Sequence, residues 1–543
     1  MLVRSRFEKI DEIKDLFSED FLVVGVGVTA FPRSGLSYLL PNYKILSLLE
    51  TGDLKAIRKK CEVVSVEKDL KGKFPEKYNT SEILKIKEVR DFLQGSVPCK
   101  LFLYKASMMT DRIVGGTDLD LIKLLSTPGY IRKVFENKKE FRVDAKKAGV
   151  KIPKGETVWI DDLSEKKWGE FRQELGEQLV FQLTDYTIGG GLGTFFIDTK
   201  EDLKKFKEFV ERRRVIRAKE GKVIEWVNIT ERIKGRQASI AGCATFYGTV
   251  AGVLQNQIMD QPELAALTGR SGVWLGQDWH VRFSEKAQLV AEEQVKKWGN
   301  YIYKKGYKGI FGLDLMVTDD DEVIVIECNS RYTGAFPVLT MAQLANKEMP
   351  IDVWHLLEWL GVEYEMNIDE VQKVYRQPKQ GAFVVMHNLE RKFVTPTKKV
   401  KAGVYRVISN PSLFYKTDSS TFPAKVDYLH SQSTGSEKSE TKPSRFAKAL
   451  LKQNGQEIKI EYVRPGFSLL DIKSEDEFVL CDRVPTEEMV LKPAERMGRL
   501  IFKRRIVTDE GELLDWTRGV VKAIYDKFEL AVVDGDDLLN IKN

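Results

Sequence analysis

Apolar positions along the chain fall into two patterns. Continuous apolar runs such as "FLVVGVGV" from position 21 and "CKLFLY" from position 99 predict buried parallel strands, which lack a polar face because helices cover both sides of such a sheet. In "KAQLVAEEQVKKWGNYIYKKG", by contrast, Ala287, Ala291, Val295, Trp298 and Ile302 recur every three or four residues. That spacing predicts a helix with one core-facing stripe. The early segment "KILSLLETGDLKAIRKKCEVVSVEK" reads as a helix followed by a strand, and the late segment "LLDWTRGVVKAIYDKFEL" as a helix.

One apolar run ends abruptly in polar residues. "GIFGLDLMVTDDDEVIVIECNSR", positions 309 to 331, reads as strand, acidic turn, strand. If the turn is symmetric about Asp320 and Asp321, Val317 faces Ile324, Leu315 faces Ile326, Asp314 faces Glu327 and Gly312 faces Asn329. Opposed residues of an antiparallel pair have Cβ atoms about 5 Å apart, so two carboxylates there repel. A raised carboxylate pKa with one shared proton can offset that repulsion; a hard divalent cation with oxygen ligands does so more simply, and Asn329 adds a neutral oxygen. Alternation then directs Glu327, Asn329 and Arg331 to one face and Ile324, Ile326 and Cys328 to the other.

Upstream, "QLVFQLTDYTIGGGLGTFFI" predicts a strand, a glycine-rich turn and a second strand. Gly189, Gly190, Gly191 and Gly193 permit close backbone approach, so successive N–H groups can cradle a phosphate, with Thr194 adding a hydroxyl. Gly25, Gly27 and Ala30 fit a loose dinucleotide pattern, but Pro32 interrupts the helix that would receive the pyrophosphate, and that pattern is set aside.

Together these segments resemble the ATP-grasp superfamily of carboxylate–amine and carboxylate–thiol ligases, over about residues 126 to 365. "NKKEFRVDAKKAGVKIP" resembles the first nucleotide-binding segment, which makes Lys138 the matching phosphate-binding lysine. A second phosphate-contacting lysine common in the family is Gln182 here. "EWVNITERIKGRQASI" resembles the hinge: Glu231 and Ile233 match the backbone contacts to adenine, and Gln237 stands in place of the usual ribose-binding glutamate. "GLDLMV" and "IECNSR" resemble the magnesium strands, matching Asp314, Glu327 and Asn329 as ligands and Arg331 as the catalytic residue beside the reacting phosphate. Arg270 and Arg282, in "MDQPELAALTGRSGVWLGQDWHVRF", are candidate substrate contacts.

The resemblance implies a multidomain protein of α/β and α+β class. An α/β pre-grasp domain (1 to 125) precedes an ATP-grasp fold (126 to 365) and an extra C-terminal α+β domain of unknown role (366 to 543). It implies an ATP-dependent, ADP-forming ligase that makes an amide through an acyl phosphate. ATP and Mg²⁺ are the expected cofactors. A small carboxylate and an amine, such as an amino acid or peptide, are the expected substrates, and homo-oligomerisation is left open. A thiol-using ligase and a non-catalytic ATP-binding protein are the alternatives.

Length and composition agree with this outline. At 543 residues the chain exceeds one core, since domains average roughly 150 residues. The net charge of +6 is spread over 86 bases and 80 acids, which leaves nucleic-acid binding as the least supported function despite the "FKRR" cluster. Five scattered cysteines and four scattered histidines favour neither disulfides nor a His-based metal site. No apolar run of membrane-spanning length is evident, so a cytoplasmic location is expected. The polar stretch "HSQSTGSEKSETKPSR" is expected to be a loop or disordered insert.

Overall fold

A computed structural model describes residues 1–408 and 458–533, apart from 21, 97, 117–121, 185–192, 220–222, 266–271, 391 and 488. The loose apolar runs near the N-terminus form a five-stranded parallel sheet. Its order is Glu62–Ser65, Tyr43–Ser47, Leu22–Gly27, Cys99–Leu103 and Ile122–Leu124. Tyr43–Ser47 corrects the expectation that "KILSLLETGDLKAIRKK" opens as a helix. Its apolar side chains are buried beside Leu22–Gly27, and a four-residue helix, Leu54–Ile57, follows only after the Thr51–Asp53 turn.

Gly25 and Gly27 have a packing role that explains their spacing. A Cβ at Gly27 would lie 2.1 Å from Cζ of Arg33, and one at Gly25 would meet the Tyr43 hydroxyl at the same distance. The two glycines therefore make room for a buried arginine over the strand.

The second layer is a four-stranded antiparallel sheet in the order Gly155–Trp159, Trp226–Glu231, Leu179–Leu183, Thr194–Ile197. The third is an eleven-stranded sheet. It runs from Val323–Asn329 through Gly309–Val317, Arg236–Thr245, Gln255–Met259 and Trp274–Asp278. It then continues without a break through Ala382–His387, Arg496–Phe502, Glu477–Cys481, Gly403–Val407 and Ile460–Arg464, with Gly248–Ala251 paired to Arg236–Thr245. The boundary expected at 365 thus falls within one sheet, because Trp274–Asp278 pairs directly with Ala382–His387.

Helices cover this sheet as their stripes require. In Glu285–Lys304 the five predicted core residues, Ala287, Ala291, Val295, Trp298 and Ile302, are all fully buried against the strands. Helices Phe336–Ala345 and Ile351–Leu360 are apolar on most sides because they lie between the parallel sheet and the large sheet, in a core that joins Ile45 and Phe102 to Ala241 and Phe383. The predicted C-terminal helix spans Asp515–Phe528. Among the described residues no helix is long and apolar enough to cross a membrane. The "HSQSTGSEKSETKPSR" stretch lies outside the described residues.

Candidate active site

The hairpin at 309 to 329 opposes Asp314 to Glu327 and Gly312 to Asn329. Beyond that point the expected register slips: Leu315 pairs with Val325 and Val317 with Val323, leaving Ile326 unpaired in a β-bulge. The bulge corrects the expected faces. Val323 and Val325 join Cys328 in the core, while Ile326 and Glu327 both line a cleft. Trp298 donates its indole N–H to Cys328 Sγ at 3.1 Å, and burial pushes this thiol up, so Cys328 is a packed core group.

The polar residues at the strand end are wired to one another. Asn329 Nδ2 donates to Asp314 Oδ2 at 2.8 Å, and Arg331 donates to Asn329 Oδ1 at 2.8 Å. Gln257 Nε2 donates to the other Asp314 oxygen at 2.7 Å. Lys138 Nζ lies 3.0 Å from Glu327 Oε2. Burial, and then the Glu327 charge, push Asp314 up to about 7. Burial acts on Glu327 in the same direction, but the Lys138 ammonium and its hydrogen bond outweigh it and hold Glu327 below its usual range. The two acids thus differ in proton affinity, as expected of like charges forced together.

This donor set fits a hard cation in chemistry, with one adjustment. Asp314 and Glu327 face each other, and Asp314 carries the raised proton affinity that a bound cation would reverse. Asn329 presents its N–H to Asp314, so its carboxamide must turn to offer oxygen. Among the described residues no group of three or more His, Cys, Asp and Glu gathers as a metal site; the oxygen set here has two carboxylates and an amide.

Glu136 completes the constellation and was not singled out from the sequence. It ends the helix Gly129–Glu136, with only 10% of its side chain exposed, and receives three cations. Arg132 lies at 2.5 Å, Lys105 at 2.8 Å and Arg331 at 3.1 Å from its carboxylate oxygens. Burial alone would raise this acid; Arg331 above all, with Lys105 and Arg132, holds it down at about 2. Arg331 also lies 5.4 Å from the centre of the Tyr104 ring, which fixes its guanidinium on a second side.

These groups open into a cleft of about 1110 Å³ bounded by the four-stranded and eleven-stranded sheets. No family model and no curated protein matches the sequence. Solved structures do match. Biotin carboxylase from Campylobacter jejuni, in a β-γ-ATP complex, superposes with a TM-score of 0.54 at 11% identity, over 93% of this chain and 97% of that one. Carboxyaminoimidazole ribonucleotide synthase from Aspergillus clavatus, complexed with ATP, gives 0.51 at 11% identity, over 94% and 99%. The biotin carboxylase domain of Hydrogenobacter thermophilus 2-oxoglutarate carboxylase, with MgADP and bicarbonate, gives 0.50 at 13% identity, over 75% and 83%. The chain has the ATP-grasp fold.

In this ATP-grasp cleft most of the sequence candidates converge. Lys138 opens the helix Lys138–Ala148, capped by the Asn137 side chain, and faces Glu327. Its neighbour Lys139 turns away and lies 3.5 Å from the centre of the Trp226 ring. Gln182, Gly193, Thr194, Glu231, Ile233 and Gln237 line the cleft. Thr194 pairs with Gln182, while Glu231 accepts from the Lys154 N–H at 2.8 Å. Gly189, Gly190, Gly191 and Arg270 lie outside the described residues. Arg282 is exposed and, among the described residues, is not one that lines the cleft; its carbonyl accepts from Arg236, which departs from its expected place on a substrate wall. His280 is held structurally by Asp278 and the Lys503 carbonyl.

Proposed function

We propose that this chain is an ATP-dependent carboxylate–amine ligase that releases ADP and forms an amide through an acyl phosphate. One observation carries the proposal: facing carboxylates at Asp314 and Glu327 meet Lys138 and Arg331 in a single cleft of an ATP-grasp fold. Asp314, Glu327 and a turned Asn329 would hold magnesium, which neutralises charge on transferring phosphates. Lys138, Gln182, Gly193 and Thr194 would hold the phosphates, together with Gly189, Gly190 and Gly191 of the same glycine-rich sequence segment. Glu231 and Ile233 would offer backbone groups to adenine, and Gln237 a carboxamide to ribose.

In the reaction a substrate carboxylate oxygen bonds to the γ-phosphorus as the bond to ADP breaks. The amine nitrogen then bonds to the acyl carbon as phosphate leaves, and the surplus amine proton passes to solvent. Arg331, always protonated and held by Glu136, suits the charge that develops on the transferred group. The segments 1–125 and 126–365 would serve as pre-grasp and nucleotide units, and strands of 366–543, to which no role is assigned, share a sheet with the second.

Phosphate release from Mg-ATP over a panel of amino acids and short peptides, with mass analysis of products, tests the proposal. Stimulated release with a ligated product is expected, and Glu327→Gln should lower it by on the order of 100-fold or more. Unchanged release in Glu327→Gln and Asn329→Ala would remove the metal assignment.

A further inference from the structure

One part of the cleft wall is apolar. Met259, Val273, Trp274, Ala335, Phe336 and Leu339 line it. Met259 and Trp274 stand opposite each other on strands Gln255–Met259 and Trp274–Asp278. Ala335, at the N-cap of helix Phe336–Ala345, and Leu339 lie one helical turn apart and so share a face. The strand group and the helix group meet at Gly334, where a Cβ would lie 2.7 Å from Cη2 of the Trp274 ring. Glycine at that position is what lets the indole lie across the chain. Phe383, itself fully buried, packs edge to face with the indole at 5.7 Å between ring centres. The ring is thus held from the core side. Met259, Val273 and Trp274 nevertheless remain only half-buried, so the wall keeps apolar surface in contact with solvent.

This wall adjoins the reacting end of the cleft. Gly334 is three residues beyond Arg331, at most about 11 Å of extended chain. Thr333, between them, also lines the cleft, so the surface from Arg331 to Trp274 is continuous. The nucleotide base cannot cover the same wall. Its place in the ligase reading is the hinge, beside Ile233 and Ile326, and Ile326 lies four strands from Trp274 in the order of the large sheet. At about 4.8 Å per strand that is roughly 19 Å. Arg496 lines the cleft as well, but its guanidinium is turned to the buried Asp482, donating to Oδ2 at 3.2 Å. The surface open around Trp274 therefore suits an apolar group, whose burial strengthens binding by about 4-fold per methylene.

We propose that the acid substrate carries an apolar side chain, aromatic or branched aliphatic, which packs against Trp274, Met259 and Leu339 while its carboxylate lies beside Arg331. Trp274 then sets which acids the site accepts. The inference rests on the ligase reading of the same cleft and narrows the acid that reading leaves open.

Calorimetry on the full chain, saturated with magnesium and a non-hydrolysable ATP analogue, tests it with acetate, butyrate, 4-methylpentanoate and 3-phenylpropionate. Affinity should rise along the series, with 3-phenylpropionate at least about 10-fold tighter than acetate. Trp274→Ala should remove most of that gain, Trp274→Phe should keep more of it, and Gly334→Ala, which crowds the ring, should reduce it. 3-Phenylpropylamine has a similar shape with an ammonium in place of the carboxylate. Beside the Arg331 guanidinium it should bind at least about 10-fold more weakly than 3-phenylpropionate. Retained binding of the ATP analogue certifies the fold of each variant. Equal affinity along the series, a gain that survives Trp274→Ala, tighter binding of the amine, or no binding of any acid to the analogue-loaded wild type would each overturn the assignment alone. Failure of the analogue itself to bind the wild type would remove the ligase reading and this inference with it.

Discussion

Glu136 sets the electrostatics of the site although nothing in "VFENKK" advertises it. Its one local clue is Arg132, one helical turn back; Lys105 and Arg331 reach it from other elements. Sequence alone shows the acid, not that three cations converge on it. Removing the charge leaves those cations unbalanced, and breaking a buried pair costs about 3–5 kcal/mol. Glu136→Gln should therefore lower kcat by roughly 10- to 100-fold through misplacement of Arg331, with little change in KM for ATP, and Glu136→Asp should recover part of it. The sign of the pH dependence follows from the lowered proton affinity. Stability is fully present above the unfolded value of 4.5 and is lost as pH falls toward about 2. Its size is on the order of 3 kcal/mol, and Glu136→Gln should flatten that limb of a Tm-against-pH profile. Equal acid sensitivity in the variant would assign the effect to other carboxylates.

The hairpin was legible at the level of elements, and its bulge was not. Period-two alternation and the acidic turn gave both strands, but the turn centres on Asp320 alone, and the expected Asp314–Glu327 and Gly312–Asn329 pairs form because the bulge at Ile326 offsets that shift. Ile324, Val325 and Ile326 are interchangeable to a hydrophobic pattern, so the unpaired residue among them could not be read from composition. Unfolding in urea distinguishes the two registers. Val325→Ser places a hydroxyl in the core and should cost about 2–4 kcal/mol. Ile326→Ser, on the cleft wall, should cost about 1 kcal/mol or less. The reverse order would restore the unbulged hairpin. The failed helix expectation at "KILSLL" has a similar cause: a short apolar run suits either element, and only pairing with Leu22–Gly27 decides it.

Across the whole molecule, local motifs located most of the cleft residues but not the sheet that carries them. The order of Lys138, Gln182, Glu231, Asp314 and Glu327 along the chain was enough to suggest the ATP-grasp fold, which the solved structures match. The union of Trp274–Asp278 with Ala382–His387 joins segments more than a hundred residues apart, and a one-dimensional pattern carries no signal for such pairing. It is this union that brings Arg496 to the cleft. The central claim is that a substrate carboxylate accepts the γ-phosphoryl group. With the carboxylate identified by the panel labelled with ¹⁸O, turnover should transfer one label to each phosphate released alongside ADP. Unlabelled phosphate, or release of AMP with pyrophosphate, would contradict it.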